Sequence, residues 1–380
     1  MATIKSVNTD RIRWCMSDRN ITAEELAAEI GVKDEKIYAI LDGEAAPSLT
    51  QLKNIAKYFN RGLLFFISEG EVNETKLRTS GFRTLTNEYP QLDSQIKALM
   101  ERVERQRQIF LNLREELGED NSAFRPPQIP NDDLKGAASV VRTWLGINGN
   151  RSFSDYRNAV ESKGVLVFRS NGFRGAWQIP KESEIAGFSV FHKEFPTIMV
   201  RRFDAPQRQL FTLAHELGHL IIHGAGSVDN EDDLYSYRGR ERAVNLFAGN
   251  LLFPDEALRT INDREKPEPE RFDDWLREPA RDFGVSVEVI LIRLLDSNRL
   301  QREEYNQYKA WRSQQQPLEG LGGARFYRYR EPVHIFGKPF VGTVLEALGS
   351  KQITITKASR FLDNIKITAV HRLQREFNAL

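Results

Sequence analysis

The most constraining feature of this sequence is a pair of histidines inside an apolar helical segment. His215 and His219 bracket a glutamate in the pattern His-Glu-x-x-His, within residues 211–223. Residues four apart on a helix lie on the same face one turn apart, so both imidazoles can reach one metal ion. Apolar residues fill most of the other positions, and two buried imidazoles without partners are costly. The pattern therefore predicts a partly buried, metal-binding helix.

Glu216, between the two histidines, is placed to take part in the chemistry without binding the ion. On a helix with about 3.6 residues per turn, it is turned about 100° from His215. It can therefore flank the ion and act on a metal-bound water. Two imidazoles and a carboxylate suit Zn²⁺, which leaves a fourth position for a water whose pKa falls to about 7. The alternative is a chance pattern of hydrogen-bonded surface histidines.

The third ligand has several candidates. Glu241 is the best placed, because it begins a second predicted helix with an apolar face, residues 241–254; the alternative is a solvated glutamate in a first helical turn. His223 continues the face of the first two histidines, but three turns spread over about 12 Å, too far to meet one ion. Asp232 and Asp233 are weaker candidates in the intervening loop.

Peptide hydrolysis also needs a hydrogen-bond donor for the developing oxyanion. The segment between the two predicted metal helices carries Tyr235 and Tyr237. Both are candidate donors, and the alternative is that each is an ordinary loop tyrosine.

The first 70 residues are predicted to form a compact helical unit. Thr22 with Glu25, and Ser48 with Gln51, fit the capping box that begins a helix. A short helix over residues 34–41 follows the first capped helix after a glycine-containing turn. This succession is typical of a helix-turn-helix.

DNA binding by this unit is one of two open interpretations. The presumed recognition helix offers Lys33, Lys36 and Tyr38 toward DNA, but Asp34 and Glu35 stand at its entrance. Residues 1–69 carry nine basic and ten acidic residues, a balance of −1, whereas phosphate contacts dominate DNA affinity. The alternative is a helix-turn-helix that docks onto another protein.

Composition divides the chain into four predicted domains or segments. A helix-turn-helix domain (1–70) is followed by a helical arm (71–130), an α+β domain (131–310) and a small helical domain (325–380). The last carries ten basic and four acidic residues, a balance of +6. Two interpretations of this charge stay open: nucleic-acid binding and an evenly solvated basic surface. Within the arm, an amphipathic helix over 92–117 favours either a homodimer or an arm that stabilises the monomer.

Bulk composition excludes several classes of protein. The formal net charge is +1, which gives no chain-wide attraction to nucleic acid or membrane. Cys15 is the sole cysteine, which excludes thiolate zinc clusters and suits a reducing compartment. The apolar run over 63–67 is far shorter than the roughly 20 residues of a membrane helix, and the first 16 residues lack the apolar core of a secretion signal. We expect a cytoplasmic protein without membrane contact.

The motifs together resemble those of the ImmA/IrrE family of zinc metallopeptidases. The resemblance rests on His215-Glu-Leu-Gly-His219 and on Glu241 followed by Asn245-Leu-Phe-Ala and Leu-Leu-Phe-Pro254. It implies zinc bound by His215, His219 and Glu241, with Glu216 as the general base. It also implies a helix-turn-helix of the phage-repressor type at one end of the chain.

The resulting expectation is a multidomain, mainly α-helical protein with an α+β, zincin-like peptidase core and an all-α helix-turn-helix domain at its N-terminus. The resemblance implies a zinc-dependent endopeptidase in transcriptional control that cleaves a DNA-binding repressor or antitoxin. Operator DNA is a further expected partner, through residues 1–70. The alternative is a non-catalytic regulator or antitoxin whose peptidase-like domain senses a ligand or partner.

Overall fold

The computed structural model describes two compact units, Met1–Glu104 and Arg105–Leu380. The described residues are 7–19, 21–59, 61–68, 70, 72, 92, 94–121, 124–130, 133–148, 152–171, 176–180, 183–203, 205–230, 234, 239–315 and 329–377. The protein is mainly helical with one small mixed sheet, which confirms the predicted fold class. The four domain limits drawn from composition stay predictions.

Among its described residues, the first unit contains five short helices around one apolar core, followed by a long helix that begins at Ser94. The short helices are α1 (Thr9–Arg19), α2 (Ala23–Ile30), α3 (Asp34–Leu41), α4 (Leu49–Tyr58) and α5 (Leu63–Ile67). Both predicted capping boxes are present, at Thr22 and at Ser48. Gly31 ends α2 in the left-handed conformation, with φ 71°, which glycine adopts without steric cost. The turn between α2 and α3 is therefore encoded locally.

A long helix, α6 (Ser94–Glu116), contains the division between the two units and matches the amphipathic helix predicted over 92–117. The first part of α6 packs in the first unit through Glu101, which is buried between two arginines. The Glu101 carboxylate oxygens lie 3.0 Å from Arg19 and 2.8 Å from Arg61. Apolar residues of α6 such as Val103 are buried within the single chain. This burial supports the stabilising arm, and the homodimer stays a prediction.

The second unit is built around a four-stranded sheet. Two helices, α7 (Leu134–Leu145) and α8 (Phe153–Glu161), precede the strands β1 (Leu166–Arg169), β2 (Ile185–Val190), β3 (Thr197–Val200) and β4 (Ser227–Asn230). The order is β1-β3-β2-β4, with β1 parallel to β3 and the other pairs antiparallel. The sequence predicts strands over residues 165–169, 185–190 and 197–201, which match the first three. It gives no prediction for β4.

Helices cover this sheet and carry most of the second core. The first is α9 (Pro206–Gly218), which continues as one π-helical turn (His219–His223) and packs on β2 and β3. Next comes α10 (Gly239–Leu252), which packs on α7 and α9. The chain continues through α11 (Asp255–Arg259), two 3₁₀ turns (Asp263–Glu265 and Pro269–Arg271), α12 (Phe272–Trp275), α13 (Arg277–Phe283), α14 (Val287–Asp296) and α15 (Arg302–Ser313).

Three helices close the chain: α16 (Glu331–Gly349), α17 (Ile355–Phe361) and α18 (Ile367–Phe377). The first of them packs on β1 and α8. Arg157 of α8 fixes the start of α16. The Arg157 guanidinium donates to the backbone oxygens of Val333, His334 and Ile335 at 3.3, 2.8 and 3.2 Å. Gly337 interrupts the helix with φ 82°. The buried arginine therefore binds carbonyls that a kinked helix leaves without helical partners.

We predict opposite effects for two glycine substitutions within α16. A Cβ at Gly337 would lie 2.0 Å from Oε1 of Glu161 at a positive φ, so Gly337→Ala should lower the free energy of unfolding by about 2 to 4 kcal/mol. Gly342→Ala is the control, because its Cβ would meet only the Phe377 ring at 3.8 Å. It should be neutral or stabilise by up to about 1 kcal/mol. Denaturant unfolding followed by tryptophan fluorescence measures both; equal stabilities would contradict the prediction.

Candidate metal centre

Helix α9 buries the two histidines of the motif against the sheet. His215 is 0% and His219 3% exposed. Gly218 lies between the two histidines, at the last position of α9 before the π-helical turn. It is the point where α10 comes close: a Cβ there would lie 2.8 Å from Val244 Cγ1 and 3.0 Å from the Phe247 ring. The missing side chain therefore allows α10 to approach and to bring Glu241 to the histidines.

Four side-chain atoms converge at this point. His215 Nε2 and His219 Nε2 are 3.1 Å apart. Glu241 Oε2 lies 3.2 Å from the first and 3.3 Å from the second. Asp229 Oδ2, from β4, lies 3.5 Å from both. A tetrahedral ion with bonds of about 2.0 Å requires ligand atoms about 3.3 Å apart. The spacing of the His215, His219 and Glu241 atoms fits one zinc ion, and all four atoms lie within 4.8 Å of one another.

The charge and hydrogen bonding of the group also fit a divalent cation. Two neutral imidazoles and two carboxylates carry a charge that one such ion balances. Glu241 Oε2 is buried and has no hydrogen-bond partner among the described residues. Burial alone would lower the pKa of His215, but Asp229 and Glu241 outweigh it and raise the pKa to about 10. The carboxylates therefore attract positive charge to this point.

Asn245 fixes the orientation of the first histidine. Its Oδ1 lies 2.8 Å from His215 Nδ1, and both side chains are buried. When Nδ1–H donates to this oxygen, Nε2 keeps its lone pair for the ion. Asn245 lies four residues after Glu241 on α10, so one helix supplies both a candidate ligand and the partner that orients another.

We predict that Asn245→Ala weakens metal binding without removing a ligand. Loss of such an orienting partner typically costs 10- to 100-fold in metal affinity. Asn250→Ala is a matched control on the same helix, because the Asn250 amide donates to the backbone oxygen of Leu246 at 2.7 Å rather than to a histidine. Zn²⁺ titration against a chromophoric chelator measures both. Equal affinities in the two variants would contradict the orienting role.

Glu216 lies beside the group on a closely packed face. It is 0% exposed, and its Oε2 accepts a hydrogen bond from Ser227 Oγ at 2.9 Å. The strand β2 comes near through Gly187, where a Cβ would lie 2.9 Å from Glu216 Oε1. Burial, and then the neighbouring Asp229, raise the pKa of Glu216 well above its usual value. A carboxyl group with a raised pKa suits proton transfer.

The structure brings together three predicted ligands, His215, His219 and Glu241, and adds Asp229. His223 lies outside this group. The four loop candidates of the sequence analysis lie outside the described residues: Asp232, Asp233, Tyr235 and Tyr237. Sequence reasoning missed Asp229 because a four-residue strand gives little signal; the alternation of Ser227, Val228 and Asp229 is its one trace.

The predicted DNA-contacting residues lie just before α3 and within it. Lys33 is the exposed residue that precedes the helix, and Lys36 is half-buried. Tyr38 is 45% exposed, and its hydroxyl donates to the Glu24 carboxylate of α2. Asp34 and Glu35 are exposed on the same first turn. The surface of α3 therefore carries both signs of charge.

Comparison with known proteins supports both units. Residues 160–295 match the peptidase family M78, described as the IrrE N-terminal-like domain, and residues 12–66 match a helix-turn-helix family. A relative, the radiation response metalloprotease IrrE of Deinococcus radiodurans, is 33% identical over 89 residues. The match covers 20% of this chain and 25% of the relative, so the chain spans about a quarter of that protein's length.

These matches indicate a helix-turn-helix segment followed by a metallopeptidase-like domain. Residues 160–295 are similar to IrrE-like M78 peptidases and residues 12–66 to helix-turn-helix domains, which confirms the resemblance to ImmA/IrrE proteins. Among the described residues, no helix combines the length and the apolar character needed to cross a membrane.

Proposed function

We propose that this protein is a zinc-dependent endopeptidase in transcriptional control, with a DNA-binding repressor or antitoxin as its substrate. The observation that carries the proposal is the set of ligand atoms 3.1 to 3.3 Å apart on His215, His219 and Glu241. A fully buried glutamate, Glu216, lies beside them. The resemblance of residues 160–295 to IrrE-like peptidases supports the same reaction class.

Different side chains of this chain bind the metal ion and transfer the proton. His215, His219 and Glu241 would hold Zn²⁺, which when bound acts as a Lewis acid on the scissile carbonyl and lowers the pKa of water. Glu216 takes a proton from the attacking water and returns it to the leaving amine. Ser227 orients the Glu216 carboxylate through the hydrogen bond to Oε2. Asn245 holds His215 in one orientation.

Zinc content and mapped cleavage products test this proposal. Elemental mass spectrometry of the purified full chain should give about one zinc per chain. The zinc-loaded protein is then added to a cell extract, and new protein N-termini are mapped. New termini in a helix-turn-helix repressor, absent when metal-free protein is added, are the expected result. Zinc-loaded protein that produces no new termini, even with the Asp229 variants described below, would contradict the peptidase.

The helix-turn-helix domain supplies the proposed link to transcription. We propose operator DNA as its partner, contacted by Lys33, Lys36 and Tyr38 at α3 of residues 1–70. Gel-shift binding to the protein's own promoter should disappear in the Lys33→Glu/Lys36→Glu variant and persist in Lys53→Glu, a lysine exposed on α4. Equal binding by both variants would instead favour the protein-docking alternative.

A non-catalytic regulator is the second candidate. It is favoured by Asp229, whose oxygen lies as near the two histidines as a fourth ligand would. Structural zinc has four protein ligands, whereas catalytic zinc keeps an open position. In this case the metal would stabilise the domain, and the peptidase-like unit would sense a ligand or partner without cutting. Zinc-dependent stability with no cleavage by any variant distinguishes this candidate.

A further inference from the structure

Asp229 is the member of the metal group that the proposed reaction does not use. It is 1% exposed, on the strand β4. Its Oδ2 is equidistant, at 3.5 Å, from His215 Nε2 and His219 Nε2. Because Glu241 Oε2 lies at a similar distance from the same nitrogens, the two carboxylates have equivalent positions toward an ion between them.

We propose that Asp229 is a fourth protein ligand that closes the metal site, and that the peptidase becomes active when Asp229 leaves the ion. A catalytic zinc has three protein ligands and a position for water or substrate. With Asp229 in place, two imidazoles and two carboxylates would offer the ion four protein ligands and leave no position for water or substrate. This inference rests on the proposed function, and it makes the described conformation the inactive one.

A shared hydroxyl connects Asp229 to the proposed base. Ser227 Oγ lies 2.8 Å from Asp229 Oδ2 and 2.9 Å from Glu216 Oε2. A hydroxyl has one proton, so it donates to one of these carboxylates at a time. When Asp229 moves away, Glu216 is the carboxylate left to accept this proton, beside the Ser189 hydroxyl at 3.3 Å from Ser227 Oγ. Release of the fourth ligand therefore opens a position on the ion and orients the base in the same movement.

The strand that carries Asp229 is suited to such a movement. Among the described strands, β4 pairs with β2 alone, at the edge of the sheet. Its register is irregular between Ile185 and Gly187, opposite Asn230 and Asp229. An edge strand of four residues breaks fewer backbone hydrogen bonds when it shifts than an interior strand does. Such elements open locally at lower free energy than a core.

The visible spectrum of the Co²⁺-loaded full chain tests the ligand set, because Co²⁺ absorption reports coordination geometry. Azide is the probe for an open position. In wild-type protein we expect a four-coordinate spectrum that azide does not change. In Asp229→Ala, azide should shift the spectrum. If the alanine variant fails to fold, the isosteric Asp229→Asn variant should show the same shift. Glu184→Gln, at an exposed carboxylate just before β2, should behave as wild type.

The outcomes separate the inference from the proposed function. The inference would be overturned if azide shifted the spectrum of wild-type protein as much as that of the Asp229 variants. It would also be overturned if azide left the spectra of the Asp229 variants unchanged. Cleavage of a repressor by Asp229→Ala at least tenfold faster than by wild type supports activation by release. Slower cleavage by this variant with metal still bound would contradict release. No Co²⁺ or Zn²⁺ bound by wild type contradicts the proposed metal site itself.

Discussion

Glu216→Gln is expected to abolish cleavage while zinc content stays at the wild-type level. A positioned acid–base group typically contributes 10²- to 10⁴-fold in rate, and an amide cannot accept the proton. Gln has the shape of Glu and no charge, so the buried site should keep its packing. The measurement is the initial rate of repressor cleavage together with zinc per chain, in the wild-type background and in Asp229→Ala.

The control for this prediction is Glu256→Gln, at an exposed glutamate of α11. It removes the same charge away from the metal group and should cleave at the wild-type rate. Undiminished cleavage by Glu216→Gln would show that another group moves the proton. Loss of zinc from Glu216→Gln would show that Glu216 holds the site together rather than transferring protons.

His219→Ala and Glu241→Ala are expected to lose zinc, and His223→Ala to retain it. The first two remove atoms from the group of four that lies between α9, α10 and β4. Because loss of an orienting partner alone costs 10- to 100-fold in metal affinity, loss of a ligand should cost more than about 100-fold. His223 is the matched control: a histidine on the same helical segment but outside the group.

Zinc per chain after dialysis, and a chelator titration, measure these affinities. Circular dichroism of each variant shows whether the helices persist. Equal zinc loss in all three variants would mean that the helical segment, and not the predicted ligand set, determines binding. Zinc retained by Glu241→Ala would assign the third position to Asp229 instead.

Local pattern in the sequence was sufficient for most of the helices and for part of the site. The capping boxes at Thr22 and Ser48 and the apolar stripe of α6 depend on neighbours a few residues away, and the structure contains them. The histidine pair is likewise local, because four residues span one helical turn. Its spacing therefore predicts a shared ion before any tertiary contact is known.

Contacts between distant segments decided the rest. Asp229 reaches the histidines because β4 pairs with β2, and a strand of four residues has too short a pattern to predict. Nothing in the sequence distinguishes Gly218 and Gly187 from other glycines. In the structure, each is the point where a second element packs closely against the helix α9 that carries His215.

The sequence thus pointed to His215, His219, Glu241 and Glu216 as candidates for binding metal and moving protons, since chemistry and helical spacing are local properties. How many of these side chains meet depends on contacts between segments that are distant in the sequence. The number of carboxylates in the candidate metal group depends on the packing of α10 and β4 around α9, and that packing is a sum of long-range contacts that no single segment encodes.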